Sequence, residues 1–236
     1  MAELILSMDT ATPCSTVAIT EGDLQSGRVV GEVSLSSSVT HSRRLLTAID
    51  WLIREASISK DDISGYGVGL GPGSFTGLRI GMATAKGLAA ASGKPLFGVS
   101  SLDIIAASCP PGRTPLCALL DARKKELYVA FYRFDENGGV VRMSEPEALA
   151  PETLIQRIKE PTLMVGDGLR SYGDYLVSEM ADNCIIAPSH LWSPSAGVLG
   201  LIAGSMAARG ESDDAATVAP LYVRASDAEL NLKKKS

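Results

Sequence analysis

The chain has 236 residues, 45% of them apolar and 21% charged, which excludes a disordered or low-complexity protein and allows one large domain or two small ones. A net charge of −5 makes the chain a poor candidate for gripping nucleic acid unaided, because neutralising phosphates needs a basic surface. Aromatic residues are scarce at 5% while glycines number 23, so a core of small aliphatic side chains with close backbone approaches is expected.

Leu4 to Met8 reads as a buried strand ending at Asp9. At about five residues this run is too short for a leader peptide or a membrane span, so a soluble, cytoplasmic protein is expected. Asp9-Thr10-Ala11-Thr12-Pro13 reads as a turn, and Ser15 to Thr20 alternates like the return strand of a hairpin. Val29 to Leu35 gives a third strand. A helix capped by Thr40 or Ser42 then runs to Ala56, with Leu45, Ile49, Leu52 and Ile53 at the 3.6-residue period.

Gly65 to Leu70 is a short strand. A glycine-rich loop follows, and a helix of small residues spans Thr76 to Ser92. Leu96 to Val99 is a strand and Ser101 to Ser108 a helix. Cys109-Pro110-Pro111-Gly112 breaks the chain there.

The second half restarts with a strand, Leu116 to Leu120, that ends at Asp121, and its hairpin partner is Leu127 to Phe134. Pro151 to Lys159 is helical, Leu163 to Val165 is a strand closing at Gly166-Asp167-Gly168, and Ser193-Pro194-Ser195 places a capping Ser and a first-turn Pro before a helix that reaches Arg209. A shift of 112 residues superposes Leu4 on Leu116, Asp9 on Asp121, Val17 on Val129 and Ala18 on Ala130. This rhyme suggests a duplicated α/β unit. The expected lobes are 1–108 and 109–209, with 210–236 as a segment that can return to the first.

Two motifs bear on chemistry. The loop Gly69–Gly77 follows a strand and opens a helix, where converging amides and the helix dipole suit an anion. It lacks the Gly-Lys-Ser/Thr ending of a Walker loop, and its glycine spacing is not that of a dinucleotide fold. Gly77, Gly81, Thr84 and Ala85 equally make a small-residue stripe for close helix packing, so both uses stay open. Asp9-Thr10 after a buried strand suits a metal-bound water and a phosphate, or else an Asx turn. Together Asp9, Thr10, Gly71, Gly73 and Ser74 are the candidate nucleotide-binding set.

No catalytic set and no metal site are expected. Cys14, Cys109, Cys117 and Cys184 form no CxxC pair, and only His41 and His190 could assist them. Reduced thiols are the default for such spacing. His41 and His190 read as capping or surface residues. Lys233-Lys234-Lys235 reads as a solvated tail.

The stretch from Gly69 to Gly81, with Ala85-Lys86-Gly87-Leu88 behind it, resembles the TsaB (YeaZ) family. So do Met8-Asp9-Thr10-Ala11-Thr12, His41-Ser42, Leu120-Asp121-Ala122-Arg123, Gly166-Asp167-Gly168 and Pro220-Leu221-Tyr222-Val223-Arg224. The resemblance implies two ribonuclease-H-like α/β lobes of the acetate/sugar kinase, Hsp70 and actin (ASKHA) superfamily. It implies a role in making threonylcarbamoyladenosine in tRNA, beside the metal-dependent transferase TsaD and the ATPase TsaE.

The resemblance further implies a homodimer when alone, a heterodimer with TsaD, and contact with tRNA only through the complex. No intrinsic cofactor is implied, ATP or ADP entering only with the partners. In the catalytic paralog two histidines, four residues apart, bind the metal after a Gly-Val strand. Ser101 and Ile105 stand at those places here. The expected partner and dimer surface is Leu45, Ile49, Leu52 and Ile53 with Gly77, Gly81, Thr84 and Ala85. On that basis Gly81→Leu or Ile49→Asp would weaken the TsaD complex and spare the fold. The alternatives are an ATP-dependent phosphotransferase of the same fold, using Asp9, Thr10 and the Gly71–Ser74 loop, and, least favoured, a metallopeptidase.

Overall fold

The structure, a computed structural model, describes residues 3–36 and 41–224. The readings of the His41 and Ser42 side chains and of the Lys233–Lys235 run lie outside what it describes.

Each half of the chain builds the same unit. In the first, β1 (Leu4–Asp9), β2 (Cys14–Glu21) and β3 (Arg28–Ser36) form an antiparallel meander. α1 (His41–Glu55) crosses to β4 (Ile63–Gly69), α2 (Phe75–Ser92) leads to β5 (Leu96–Val99), and α3 (Ser101–Ala107) follows. The second half begins with β6 (Leu116–Arg123), β7 (Glu126–Phe134), β8 (Val140–Arg142) and β9 (Glu147–Leu149). It continues through α4 (Pro151–Arg157), β10 (Thr162–Val165), α5 (Leu169–Met180), β11 (Cys184–Ile186) and α6 (Ala196–Ala208).

The sheet orders are β3-β2-β1-β4-β5 and β8-β7-β6-β10-β11, with β9 also pairing β7. They correspond strand for strand, so the topology carries the duplication and gives two ribonuclease-H-like lobes of the ASKHA fold. The hairpins are not quite copies. Asp9 faces Thr16, seven residues on, whereas Asp121 faces Leu127, six on. The second turn is therefore the tighter.

α1 and α2 cover one face of the first sheet. Leu45, Ile49, Leu52 and Ile53 interlock there with Met8, Val17, Met82 and Ala85. α2 starts at its cap Ser74, whose hydroxyl accepts the Gly77 amide, and stops at Gly93, which takes the left-handed conformation (φ 69°). On the second sheet Cys117, Leu119 and Val129 face Leu154 of α4 and Leu169 and Leu176 of α5.

The third helices are exchanged between the halves. α3 lays Leu102, Ile105 and Ala106 on Leu116, Ala118 and Leu120 of β6. α6 returns to the first sheet, where Ala203 meets Ile5 and Phe97, and Leu199 meets Val99. The Ser7 hydroxyl donates to the Ala196 carbonyl at 2.6 Å beneath it. The boundary at 209 is corrected accordingly: residues 196–208 complete the first lobe. The cause is compositional. α6 is apolar nearly all round and buries Ala196, Leu199, Gly200 and Ala203 against the first lobe.

Candidate functional site

The β1–β2 turn is closed. Asp9, Thr10, Ala11 and Thr12 are each buried. Asp9 Oδ1 accepts the Ala11 amide at 2.8 Å, and Oδ2 accepts the Ser101 hydroxyl at 2.6 Å. Burial pushes the Asp9 carboxyl above its ordinary value, against these two hydrogen bonds, which favour the charge.

The glycine-rich loop lies directly on this turn. The Ser74 amide donates to the Ala11 carbonyl at 2.7 Å, and the Thr10 hydroxyl donates to the Gly77 carbonyl at 2.7 Å. A Cβ at Gly73 would sit 2.3 Å from the Ala11 oxygen, and one at Gly77 would sit 2.0 Å from the Thr10 oxygen. Gly71, at φ 88°, turns its carbonyl to the Ser101 amide at 2.7 Å. Of the two uses open to this loop, the geometry serves close packing. The Ser74 and Gly77 amides that an anion would need already have partners within the chain. A nucleotide phosphate with its metal does not fit this turn, because both Asp9 oxygens are engaged and buried.

The equivalent turn of the second lobe is open. Asp121 Oδ1 accepts the Arg123 amide at 2.8 Å, and Asp167 Oδ1 accepts the Asp121 amide at 3.0 Å. Burial, together with the like charge of Asp121, raises the Asp167 carboxyl above its ordinary value. Arg123, Lys124 and Lys125 are exposed, with φ of 62°, 53° and 65°. The structure thus joins the Leu120–Arg123 and Gly166–Gly168 motifs, which the sequence presented 46 residues apart at Asp121 and Asp167.

The expected partner residues sit inside the lobe. Leu45, Ile49, Leu52 and Ile53 are buried in the core, as are Gly77, Gly81 and Ala85. Gly81 admits the Thr10 side chain, since a Cβ there would lie 2.4 Å from its hydroxyl. Thr84 is half-buried and donates to the Ile80 carbonyl at 2.8 Å. Both stripes therefore face this chain's own sheet, and the surface expectation moves to other residues of the same helices. Leu46 and Trp51 of α1 are 56% and 47% exposed. Sequence reasoning passed over them, although two large apolar residues off the buried stripe were the available signal.

A family model described as TsaD, tRNA N6-adenosine threonylcarbamoyltransferase, matches residues 28–232. The tRNA threonylcarbamoyladenosine biosynthesis protein TsaB of Escherichia coli K12 is 33% identical over 226 residues, 93% of this chain and 94% of its own length. The chain belongs to the TsaB (YeaZ) family. TsaB of Bacillus subtilis 168 is 25% identical over 228 residues, covering 95% of this chain and 96% of its own. The structure of YeaZ from Pseudomonas aeruginosa matches with a TM-score of 0.74 at 29% identity, covering 93% of this chain and 99% of that one. A second Pseudomonas aeruginosa structure, an uncharacterized protein with similarity to peptidase YeaZ, gives 0.78 at 29%, covering 94% and 100%.

In this TsaB-family chain Ser101 and Ile105 are both taken up by internal contacts. Ser101 is fully buried and holds Asp9, while Ile105 is packed in the second-lobe core. Among the described residues no three His, Cys, Asp or Glu side chains gather as metal ligands.

Proposed function

We propose that this protein is a non-catalytic subunit of the machinery that forms threonylcarbamoyladenosine in tRNA, supporting the transferase TsaD together with the ATPase TsaE. The names of its relatives support the pathway. The observation that carries the supporting role is the closed β1–β2 turn, in which Asp9 is buried under the glycine-rich loop and bonded to Ser101. That closure weighs against a phosphotransferase, and the replacement of both histidines weighs against a metallopeptidase. ATP or ADP enters only with the partners. The net charge of −5 fits a subunit that leaves the grip on tRNA to others.

Alone, the chain pairs with itself, and TsaD replaces the second copy on the outer surface of α1 and α2. The protein works in the cytoplasm. Among the described residues no helix is long and apolar enough to cross a membrane.

Light scattering on a sizing column tests the reading. The chain is run alone, then with the TsaD-type paralog of the same source, then with the TsaE-type ATPase and ATP. A homodimer that converts to a one-to-one heterocomplex, with no nucleotide turnover by the chain alone, is the expected result. Absence of any complex, or ATP turnover by the chain alone that Asp9→Asn abolishes, overturns it.

A further inference from the structure

Beyond α6 the chain runs back across both lobes. Asp213 bridges to Leu96, its amide donating to the Leu96 carbonyl at 2.8 Å, and its carboxylate accepts the Gly98 amide at 2.7 Å. Further on, the Leu221 amide donates to the Leu70 carbonyl at 2.8 Å, where β4 gives way to the glycine-rich loop. Tyr222 stacks on Phe75 at the start of α2, with ring centroids 5.3 Å apart. The Arg79 guanidinium lies 3.7 Å over the Phe75 ring and donates to the Tyr222 hydroxyl at 3.4 Å. All of these contacts belong to the first lobe.

The next two residues belong to the second. Val223 packs on the core built by Leu102, Ala118 and Tyr128. Arg224 pairs with Glu126, the first residue of β7, at 2.7 Å. The crossing between lobes is thus made within the single step from Tyr222 to Val223.

We propose that residues 213–224 form an interlobe latch, in which Tyr222 on α2 and Arg224 on β7 hold the two lobes at one angle until either lets go. Two anchors only two residues apart leave little slack. An extended chain spans roughly 3.3–3.6 Å per residue, so the lobes cannot part at this lip without breaking one anchor. The anchors are an aromatic contact, with Tyr222 47% exposed, and a half-buried ion pair, and Val223 is the strap's single side chain on the second lobe's apolar core. Such contacts open at far lower free energy than a core helix, which makes the strap releasable. Its grip also secures the closed site, because Leu221 bonds Leu70 at the entrance of the loop that covers Asp9.

Amide hydrogen exchange and small-angle X-ray scattering on the full chain test this, with Tyr222→Ala, Arg224→Glu and the charge-swapped pair Arg224→Glu with Glu126→Arg. Either single variant raises exchange roughly tenfold at Leu221 and also in the first turn of α2 and at the start of β7, the scale set by losing an aromatic or ionic contact. Each also enlarges the radius of gyration. The charge-swapped pair restores both readouts. A rise confined to 213–224 with unchanged scattering, or a swap that restores nothing, overturns the latch. Should Tyr222→Ala fail to fold, Arg224→Glu and its rescue decide alone.

Discussion

The Ser101 hydroxyl reaches Asp9 across 2.6 Å and so ties the first residue of α3 to the last of β1, with both residues buried. It engages the Asp9 oxygen that the Ala11 amide leaves open. Ser101→Ala leaves Asp9 Oδ2 without its hydroxyl partner. A buried hydrogen bond to a charged group is worth about 1.5–3 kcal/mol, and each kcal/mol moves the melting temperature of a chain this size by about 2–4 °C. Thermal melts of the variant should show a loss of that order. A melt unchanged from the parent would mean that the bond does nothing for the fold.

Asp9 also gives stability a pH dependence. Its carboxyl titrates at an ordinary 3.8 in the unfolded chain, and burial raises it in the folded one. Between the two values the folded state keeps the proton and the unfolded state has lost it. Stability therefore falls as pH rises through that window and levels off above the folded value. Asp9→Asn has no proton to lose and lacks this fall. Urea midpoints measured from about pH 4 to about pH 8 should drift in favour of Asp9→Asn as pH rises. A constant difference across the range would exclude a raised Asp9.

Gly73 and Gly77 of the loop act through contact, not through freedom of the backbone, and two substitutions separate these roles. Gly77→Ala drives a methyl to 2.0 Å from the Thr10 carbonyl oxygen, whereas at Gly87, mid-helix and exposed, nothing lies within 4 Å. Overpacking typically costs about 1–3 kcal/mol, and replacing a helical glycine by alanine gains about 0.5–1 kcal/mol. Denaturant unfolding should therefore place the two variants on opposite sides of the parent. The same contact argument corrects the expectation for Gly81→Leu, which collides with Thr10 and disrupts the lobe instead of sparing it.

Much of this was legible from the residues, and the failures have physical causes. The β1–β2 and β6–β7 hairpins, α2 and the duplication all rest on local signals: alternation, the spacing of small residues, an Asp at a strand end. α5 was missed because Gly168 caps it without a side chain and Gly173 interrupts its pattern. β8, β9 and β11 span three residues each, too few for any period to register. The exchange of α3 and α6 is a tertiary choice with no local mark beyond the all-round apolar surface of α6. The stripes on α1 and α2 were read correctly as apolar and small. Periodicity names the face that must be covered but not what covers it, and their own sheet does so.

The tight β6–β7 turn carries strain that a single substitution can relieve. Arg123 pairs with Glu126 around Lys124 and Lys125, both of which hold positive φ, as a two-residue hairpin loop requires. Asn-Gly is the favoured pair there, because each ordinary residue in the left-handed region costs about 1–2 kcal/mol. Lys125→Gly should stabilise the second lobe by about 0.5–1 kcal/mol, part of the relief being lost to the wider freedom of glycine when unfolded. A stability lower than the parent's in urea would show that the lysine side chain holds the turn.

The outer surface of α1 gives the test of the partner reading. Ile49 is buried against the first sheet, so Ile49→Asp puts an unpaired charge in the core and should unfold the lobe. Leu46 and Trp51 face outward on the same helix, and their replacement by Asp leaves the core intact. Surface changes of this kind move stability by about 0.5 kcal/mol or less, whereas loss of an aromatic anchor at an interface costs 2 kcal/mol or more, about a thirtyfold drop in affinity. Thermal melts and light scattering with the TsaD-type paralog therefore separate fold from docking. Trp51→Asp should melt with the parent yet fail to form the heterocomplex at micromolar concentration. If Trp51→Asp and Leu46→Asp both fold and bind as the parent does, the docking surface lies elsewhere than on α1.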